Sequence, residues 1–448
     1  MMSLLEIVHA HKLDGQYGIY SICSANPYVL RGAMIQAKRD GSFLLIESTS
    51  NQVDQFGGYT GMTPADFVSY VYRLADEEDF PSQNLIFGGD HLGPNTWQRE
   101  PSVIAMGHAH ELIRSYAAAG YTKIHLDTSM RCADDVVDDS TALAVNTIAR
   151  RTAELCKTAE EASKTHAGNQ PMVYVIGSDV PMPGGAQESL DDLQISSVEE
   201  IKEIIELCHK YFMEFGLEEA WQRVIAVVVQ PGVEFGDMKI VDYDAGLTVE
   251  ISRFIEKFPG LVYEAHSTDY QKPANLQKLV MDHFAILKVG PWLTYALREA
   301  LFALSYIEND WLGNRKGIKL SNLLSTIEKV MVQNPEYWKN HYRGDTEQLR
   351  FARKYSLSDR IRYYWPNPQI QSVLQRLLDN LSQQPVPLTL ISQFFPRQYE
   401  AVRSGQIKNK PLYLIIAKIM EIIEIYAEAT KSGKVMYKMT EFDHIGNG

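Results

Sequence analysis

The first two-thirds of the chain alternates short apolar or β-branched runs with longer segments of helical periodicity. Short runs of this kind are typical of buried strands, whereas apolar positions three or four residues apart indicate amphipathic helices. The eight predicted strands are Gly18–Cys23, Ser42–Glu47, Leu85–Gly89, Lys123–Asp127, Val173–Gly177, Arg223–Val229, Leu261–Ala265 and Phe284–Lys288. The predicted helices between them are Ala25–Lys38, Pro64–Leu74, Ser102–Ala119, Thr141–Ser163, Ser197–Phe215, Gly246–Lys257 and Ala274–Asp282.

Local signals support several of the predicted helix ends. Ser24 and Thr63 are candidate N-caps, and Pro64 stands at a first helical position, where its missing N–H costs nothing. Gly120 suits the end of the helix before it, because glycine readily adopts the left-handed backbone that often follows a helix. The helix signals and the strand pattern therefore agree on a series of strand–helix units.

Eight consecutive strand–helix units are the pattern of one α/β fold, the (β/α)₈ TIM barrel. The alternative is an open, doubly wound sheet, which binds its ligand at one switch point between strands. All eight predicted strands are followed at once by polar or Gly-rich residues, which favours the barrel. We therefore predict a TIM-barrel catalytic domain over residues 1–308.

The remaining residues, 309–448, show no clear strand pattern and are predicted to be helical. The helices predicted there are Ser321–Gln333, Thr346–Arg353, Ile370–Asn380, Leu390–Arg403 and Pro411–Thr430. The last of them carries an apolar stripe, which usually marks a face packed on a core. We interpret the region as a helical cap or an oligomerisation region, and we expect a homo-oligomer.

Polar residues follow most of the predicted strands at their carboxyl ends, and in a TIM barrel these ends meet at one rim. They are Asp90, His91, His125, Asp127, Asp179, Gln230, Glu234, Glu264, His266, Asp269 and Lys288. Taken singly, each has an ordinary structural explanation, such as a capping role for Asp127 or a barrel ion pair for Lys288. Together they would be costly to bury without a metal or ligand. Imidazole and oxygen donors suit zinc or manganese, cobalt or nickel.

Composition narrows the classes of partner. The chain is 45% hydrophobic and 22% charged, as in ordinary globular proteins, and its net charge of −13 argues against nucleic acid or an anionic membrane as partner. None of the four cysteines forms a CxxC pair, and no apolar run is long enough to span a membrane. The first residues lack the pattern of a signal peptide, so we expect a reducing, cytoplasmic setting.

Several long strings resemble one known family. They include GGDHLGP, IGSDVPMPGG, QPGVEFG, YEAHSTDYQ and LKVGP at the predicted rim, ESTSNQVDQFGGYTGMTP at Glu47–Pro64, and SDRIRYYW at Ser358–Trp365. The chain resembles, over nearly its whole length, the Z-type subunit of class II tagatose-1,6-bisphosphate aldolases. Some members of that family are described as non-catalytic subunits, others as ketose 4-epimerases, and an older label is tagatose-6-phosphate kinase.

The resemblance extends to the wider class II, metal-dependent aldolases and implies roles for particular residues. Asp90 would be the catalytic acid/base, and His91 and His266 would be metal ligands. The remaining ligand histidine of those aldolases falls at Gln230, and a glutamate of related chains falls at Asp179. We therefore expect a divalent metal on His91, Gln230 and His266, with Asp179 or Asp127 helping to move the proton.

A phosphorylated ketose is the substrate that this site implies. Retro-aldol cleavage between C3 and C4 needs a base for the C4 hydroxyl and an electrophile at the C2 carbonyl. Rotation of the aldehyde before it re-adds gives 4-epimerisation of fructose 6-phosphate and tagatose 6-phosphate, whereas its departure gives aldolase activity. The residues expected to contact the substrate are Ser24, Asn51, Gln52, His125, Glu234, Ser267, Asp269, Lys288, Gly290, Arg360 and Arg362.

Two other functions stay open at this point. The chain is also consistent with a catalytically silent barrel that stabilises a separate class II aldolase subunit, and Gln230 at a ligand position favours that reading. A kinase is the weaker alternative, because the sequence has no GxxxxGK[ST] phosphate-binding loop. The phosphate would be held by backbone N–H groups near Ser267, Thr268 and Gly290, or by Arg360 and Arg362. For these two arginines, surface ion pairing is as good an explanation as phosphate binding.

Overall fold

The computed structural model describes residues 4–136, 143–164, 171–177 and 193–433. Eight parallel strands close into a barrel. The strands are β1 (Ile19–Ile22), β2 (Leu44–Thr49), β3 (Leu85–Leu92), β4 (Lys123–Leu126), β5 (Val173–Gly177), β6 (Val224–Val228), β9 (Val262–Ala265) and β10 (Phe284–Val289). Around the barrel, neighbouring strands follow the order β1-β10-β9-β6-β5-β4-β3-β2. All eight predicted strands are confirmed, and the open-sheet alternative is wrong.

Helices surround the barrel and fill the C-terminal region. They are α1 (Leu4–Asp14), α2 (Pro27–Asp40), α3 (Pro64–Glu77), α4 (Ser102–Ala118), α5 (Val145–Ser163), α6 (Val198–Glu214), α7 (Glu218–Trp221), α8 (Val249–Ile255), α9 (Pro273–Met281), α10 (Pro291–Leu312), α11 (Leu323–Gln333), α12 (Thr346–Tyr355), α13 (Pro368–Gln383), α14 (Leu388–Phe394), α15 (Pro396–Arg403) and α16 (Pro411–Thr430). A short antiparallel hairpin, β7 (Glu234–Phe235) and β8 (Ile240–Val241), follows β6.

Two predicted helix details are wrong, and proline explains both. Asn26, not Ser24, is the N-cap of α2, and its side-chain oxygen accepts the Tyr28 N–H at 3.0 Å. The helix begins two residues later than predicted because Pro27 suits its first position. The segment predicted as one helix over Leu390–Arg403 is two helices, α14 and α15, which meet at Pro396. The capping of α3 by Thr63, with Pro64 next, is confirmed.

Helix α1, which the sequence pattern did not predict, packs on the barrel interior. Its Leu4, Ile7 and Val8 join one buried cluster with inward-facing strand residues such as Leu45 and Val262. Side chains two residues further along the same strands share that inward face. The amino end of the barrel is therefore filled with apolar side chains, and charged inward-facing residues lie nearer the carboxyl ends.

The last helix, α16, belongs to the outer layer of its own barrel. It packs against α2, α9 and α10 and also contacts β1. The Tyr426 hydroxyl donates to the Thr268 carbonyl at 2.8 Å, which ties α16 to the loop after β9. The C-terminal region thus covers this chain's barrel, and its boundary at residue 308 stays a prediction.

Candidate active site

The carboxyl end of β3 presents two neighbouring site residues, Asp90 and His91. His91 has φ +51°, in the left-handed region that few non-glycine residues occupy, and such strain is often found at functional sites. The glycines around the pair are required by space. A Cβ on Gly88 would lie 2.6 Å from the Glu47 side chain, and one on Gly93 would lie 1.7 Å from the Asp127 carbonyl oxygen. The GGDHLGP string is therefore shaped by the neighbouring strands β2 and β4.

Three imidazoles meet at the rim, and we call His91, His125 and His266 the histidine cluster. Their ring centroids lie 5.2 Å (His91–His125), 4.9 Å (His91–His266) and 5.2 Å (His125–His266) apart. All three rings are buried. They come from the loops or ends of β3, β4 and β9, so the barrel brings together residues that are far apart in the chain.

Each ring of the histidine cluster has a carboxylate behind it. His91 Nδ1 lies 2.8 Å from Asp127 Oδ2, His125 Nδ1 lies 2.9 Å from Asp90 Oδ1, and His266 Nε2 lies 3.0 Å from Glu264 Oε1. A neutral imidazole that donates one N–H to a carboxylate keeps a lone pair on its other nitrogen. In the neutral rings these lone-pair nitrogens would be Nε2 of His91 and Nδ1 of His266. His125 Nδ1 lies near both the Asp90 carboxylate and the His91 backbone N–H, which is 3.2 Å away. In their neutral forms, His91 and His266 would therefore have the tautomers that metal-binding histidines need.

Below the histidine cluster lies a set of buried charges that we call the ionic layer: Glu47, Asp90, Lys123, Glu264 and Lys288. Lys123 Nζ lies 2.7 Å from a carboxylate oxygen of Glu47 and 2.7 Å from one of Glu264. Lys288 Nζ pairs with Glu47, with Asp90 at 2.6 Å and with Glu264 at 3.4 Å. Two lysines thus hold three carboxylates in the barrel interior.

Charges within the ionic layer determine the protonation states of Asp90 and Lys288. Burial acts to raise the pKa of Asp90, but the charges of His91 and Lys288 outweigh it and hold that pKa well below the usual range. Burial acts to lower the pKa of Lys288, but its carboxylate neighbours raise it well above the ordinary lysine value. Asp90 is therefore an ionised carboxylate, and Lys288 stays a cation.

A pocket of about 590 Å³ opens above these groups. Asp90, His91, His266 and Lys288 line it from the barrel, and residues after β2 and β10 line it at the sides. The C-terminal region supplies Arg362 and Tyr363. Tyr59, from the loop after β2, packs against Tyr363 with ring centroids 4.9 Å apart. The pocket therefore combines barrel and tail residues of a single chain.

The tail segment, Ser356–Trp365, is held on the barrel by buried polar contacts. Asp359 accepts from Thr294 at 2.6 Å and pairs with Arg298 at 3.1 Å. The Leu357 N–H donates to the carbonyl of Asp237, in the β7–β8 hairpin, at 2.9 Å. These contacts therefore fix the tail segment in its position over the pocket.

Arg362 and Tyr363 form a hydrogen-bonded pair within that segment. The Arg362 guanidinium donates to the Tyr363 hydroxyl at 3.0 Å. Burial acts to raise the pKa of Tyr363, but Arg362 and Arg360 outweigh it, and the net pKa is lowered. Arg362 also donates to the backbone carbonyls of Ser358 and Asp359. Surface ion pairing, the alternative explanation for this arginine, does not describe these contacts.

Three of the predicted acidic and amide residues have defined surroundings, and a fourth is not described. Both Asp127 oxygens are engaged, one by His91 and the other by the N–H and hydroxyl of Ser129, so this carboxylate orients His91. Gln230 Oε1 accepts the N–H groups of Gly232 at 2.9 Å and Val233 at 3.1 Å, within its own loop. Glu234 Oε1 accepts the Phe235 N–H at 2.9 Å. Asp179 lies outside the described residues.

Most of the predicted substrate-contact residues line the main pocket. Those that do so are Asn51, Gln52, Ser267, Asp269, Lys288, Gly290 and Arg362. Ser24 lines an adjoining cavity, and Arg360 lines a larger opening on the other side of Tyr59 and Tyr363. His125 lies under the pocket, in the histidine cluster. The sites of contact with a substrate remain a prediction.

Sequence reasoning missed several residues of the site. Tyr59 and Tyr363 lie within the strings that carry the family resemblance, but the sequence assigns them no role. Glu47 and Lys123 are predicted only as strand residues. A charged residue inside a buried strand is itself a signal, since it needs a partner there. Tyr363 had no such local signal, because its position depends on the folding of the C-terminal region over the barrel.

A family model for "D-tagatose-1,6-bisphosphate aldolase subunit GatZ/KbaZ-like" proteins matches residues 4–431. The chain belongs to this GatZ/KbaZ-like family. The resemblance noted from the sequence strings is therefore confirmed, and it covers the C-terminal helices as well as the barrel. Family membership supports an aldolase-related function, as an enzyme or as a subunit.

Solved structures include a relative of this GatZ/KbaZ-like chain. It is a crystal structure described as that of "a probable tagatose 6 phosphate kinase" from Sinorhizobium meliloti 1021, 42% identical, with a TM-score of 0.83. The match covers 92% of this chain and 100% of that one.

More distant matches include two aldolases. The YdjI aldolase from Escherichia coli K12 is 11% identical, with a TM-score of 0.41, and the match covers 84% of this chain and 96% of that one. A fructose-bisphosphate aldolase from Campylobacter jejuni is 12% identical, with a TM-score of 0.42, and the match covers 84% of this chain and 91% of that one.

Among the described residues of the GatZ/KbaZ-like chain, no helix has the length and apolar character needed to cross a membrane.

Proposed function

We propose that this chain catalyses the metal-dependent cleavage and re-formation of the C3–C4 bond of a phosphorylated ketose, and thereby interconverts fructose 6-phosphate and tagatose 6-phosphate at C4. The observation that carries the proposal is the histidine cluster, with a carboxylate behind each ring, beside an ionised Asp90 in one pocket. A barrel with a purely structural role has no need of such an arrangement.

The donor groups fit a first-row divalent metal. Ligand atoms of Asp90, His125, Glu264 and His266, a group that contains two of the three histidines, all lie within 4.8 Å of one another. His125 Nε2 is buried and has no hydrogen-bond partner among the described residues, although a buried polar atom normally has one. Imidazole ligands supported by carboxylates suit zinc, and manganese, cobalt or nickel are consistent with the same nitrogen and oxygen donors.

We propose that the histidine cluster would hold this metal. His91 and His266 were expected as ligands from the resemblance. His125 is a better third ligand than Gln230, because both lone pairs of the Gln230 oxygen are used by backbone N–H groups of its own loop. When bound, the metal supplies Lewis-acid polarisation of the substrate's C2 carbonyl.

Asp90 is the group that would take the proton from the C4 hydroxyl. Lys288 and His125 keep it ionised and fix its direction through contacts to Oδ1. The C3–C4 electron pair then moves toward C3, and C4 becomes an aldehyde carbon. When the aldehyde turns over and re-adds, Asp90 returns the proton to the new C4 hydroxyl.

Retention of the aldehyde decides between epimerisation and net cleavage. Tyr59 and Tyr363 pack together above the pocket, and the tail segment that carries Tyr363 is tied to the barrel at Asp359. A covered pocket keeps the aldehyde half close to its partner, which favours re-addition. Arg360 and Arg362 would hold the phosphate of this half.

An imine mechanism at Lys288 is disfavoured by the same geometry. An amine nucleophile needs a lowered pKa, whereas Lys288 lies among three carboxylates that raise its pKa. Lys288 therefore acts on Asp90 as a fixed positive charge.

A stabilising subunit without catalytic activity is the second candidate function. It is favoured by the family description of an aldolase subunit and by the engagement of Gln230 within its loop. In that case a separate class II aldolase subunit would be the partner. Kinase activity has no support from a phosphate-binding loop in the sequence.

The purified chain should convert fructose 6-phosphate to tagatose 6-phosphate only with metal. We would add Mn²⁺, Co²⁺, Ni²⁺ or Zn²⁺ after chelator treatment and measure the ketose phosphates and triose products. Loss of conversion with chelator and recovery with one metal is the expected result, because the Lewis acid is part of the mechanism. No conversion with any metal, either of this substrate or of tagatose 1,6-bisphosphate, would favour the stabilising subunit.

A further inference from the structure

Tyr59 stands in the wall between the main pocket and the larger opening that Arg360 lines, which we call the outer opening. The main pocket and the outer opening share Asn51, Tyr59 and Tyr363 as lining residues. Tyr59 also lines the adjoining cavity beside Ser24. A side chain that lines two neighbouring spaces separates them, so the Tyr59 ring divides the main pocket from both of the others.

Ring contacts complete this wall. Tyr59 meets Tyr363 edge to face, with ring centroids 4.9 Å apart, and it meets Tyr337 at 6.5 Å. Tyr363 in turn stacks on Tyr337 at 5.0 Å. Aromatic rings at these distances attract one another. The wall is therefore formed by one tyrosine of a barrel loop and two tyrosines of the C-terminal region.

The loop that carries Tyr59 is shaped by its own backbone contacts. Asp54 Oδ1 accepts the Gly58 N–H at 3.0 Å, and the Tyr59 N–H donates to the Asn51 carbonyl at 3.1 Å. Gly58 has φ +55°, and a Cβ there would lie 2.4 Å from the Gln52 carbonyl oxygen. The loop thus fixes the backbone at Tyr59. Rotation of the side chain between rotamers would open the wall and leave these backbone contacts intact.

The two arginines proposed for the phosphate lie on different sides of this wall. Arg362 lines the main pocket, and Arg360 lines the outer opening. The outer opening is also lined by three acidic residues, Asp54, Glu100 and Glu336. Like charges repel, so these carboxylates weaken the hold of Arg360 on an anion. An aldehyde phosphate beside Arg362 is therefore inside the wall, and one that has passed to Arg360 is outside it.

We propose that Tyr59 is a specificity-determining residue that closes the route from the main pocket to the outer opening, and thereby decides whether the aldehyde half re-adds or leaves. With the ring in place the chain epimerises its ketose phosphate, and without it the chain acts as an aldolase. This inference rests on the proposed function and names the residue that separates its two outcomes.

The two outcomes start from the same broken bond. After cleavage between C3 and C4, the C1–C3 half is an enediolate and the C4–C6 half is an aldehyde that carries the phosphate. If the aldehyde stays, C3 attacks C4 again. If it leaves, C3 takes up a proton that balances the one removed from the C4 hydroxyl. Fructose 6-phosphate then splits into dihydroxyacetone and glyceraldehyde 3-phosphate, with no oxidant, reductant or further reactant.

The test measures both outcomes in one sample of the metal-loaded, full-length chain. Glyceraldehyde 3-phosphate released from fructose 6-phosphate would be consumed by a coupled dehydrogenase, and tagatose 6-phosphate would be measured by NMR. The ratio of cleavage to epimerisation should be low for the wild-type chain. Tyr59→Ala should raise this ratio at least about tenfold, because an opened wall lets the aldehyde escape before it re-adds.

Two further variants show whether the aromatic ring is the cause. Tyr59→Phe keeps the ring and should keep the wild-type ratio. Tyr413→Ala makes the same change as Tyr59→Ala at a residue of α16 that is 37% exposed and lies outside the pocket. It should also keep the ratio. A merely structural defect lowers both products together, so the ratio distinguishes a role in retention from a role in folding.

The possible failures differ in what they overturn. An unchanged ratio in Tyr59→Ala, or an equal rise in Tyr59→Phe, would overturn the role of the ring and leave the proposed function standing. Absence of both products from the wild-type chain with every metal would overturn both. If Tyr59→Ala does not fold, Tyr59→Leu, which keeps apolar bulk but no ring, replaces it with the same expected rise.

Discussion

Asp90→Asn is expected to lower kcat for fructose 6-phosphate epimerisation by about 10²–10⁴-fold, the range typical of a lost general acid or base. Asparagine has nearly the same shape as aspartate but cannot take up the C4-hydroxyl proton. Its oxygen can still face His125 and Lys288, which contact Asp90 at 2.9 and 2.6 Å. The metal content and the thermal unfolding midpoint should therefore change far less than kcat.

The matched control for this experiment is Asp79→Asn. Asp79 is a surface residue whose side chain is 92% exposed, and its nearest cation, Lys38, lies 3.9 Å away. Steady-state kinetics and metal analysis of both variants would be measured in parallel. Near-wild-type turnover of Asp90→Asn, with metal bound, would exclude Asp90 as the proton acceptor.

Lys288→Met is expected to destabilise the fold by about 3–5 kcal/mol, the usual effect of removing one partner from a buried ion pair. Lys288 is 5% exposed and pairs with Glu47, Asp90 and Glu264. Without it, three buried carboxylates share the single charge of Lys123. Urea denaturation of the metal-free chain would measure the change.

Lys272→Met serves as the control for the lysine substitution. Lys272 pairs with Asp242, and both side chains are largely open to solvent, so its loss should cost at most about 1 kcal/mol. Equal denaturation midpoints for the two variants would show that the ionic layer contributes little net stability. They would also weaken the argument that Lys288 holds Asp90 in its ionised form.

The strands were predictable because each is a short, buried apolar run between polar turns. This pattern also placed Asp90, His91 and His266 at one rim, since parallel strand ends meet there. The pattern could not assign Asp127, because the same position suits a cap, a proton carrier or a carboxylate behind a histidine. Only the 2.8 Å contact to His91 Nδ1 distinguishes these roles.

Features that depend on long-range packing were beyond the sequence pattern. Helix α1 was not predicted, although its Leu4, Ile7 and Val8 fill the amino end of the barrel. Tyr363 lies more than 250 residues after Asp90 in the chain and reaches the pocket only because Asp359 and Arg298 hold its segment. The break between α14 and α15, in contrast, has a local signal in the sequence, because Pro396 cannot lie inside a regular helix without disrupting it.

The most direct test of the account is epimerisation of fructose 6-phosphate in deuterium oxide, followed by NMR. Cleavage of the C3–C4 bond leaves the C4 hydrogen on the aldehyde carbon throughout, so the account predicts tagatose 6-phosphate that still carries protium at C4. Deuterium at C4 would mean that this hydrogen had been removed as a proton. That result would contradict carbon–carbon bond cleavage, and with it the role proposed here for the histidine cluster and Asp90.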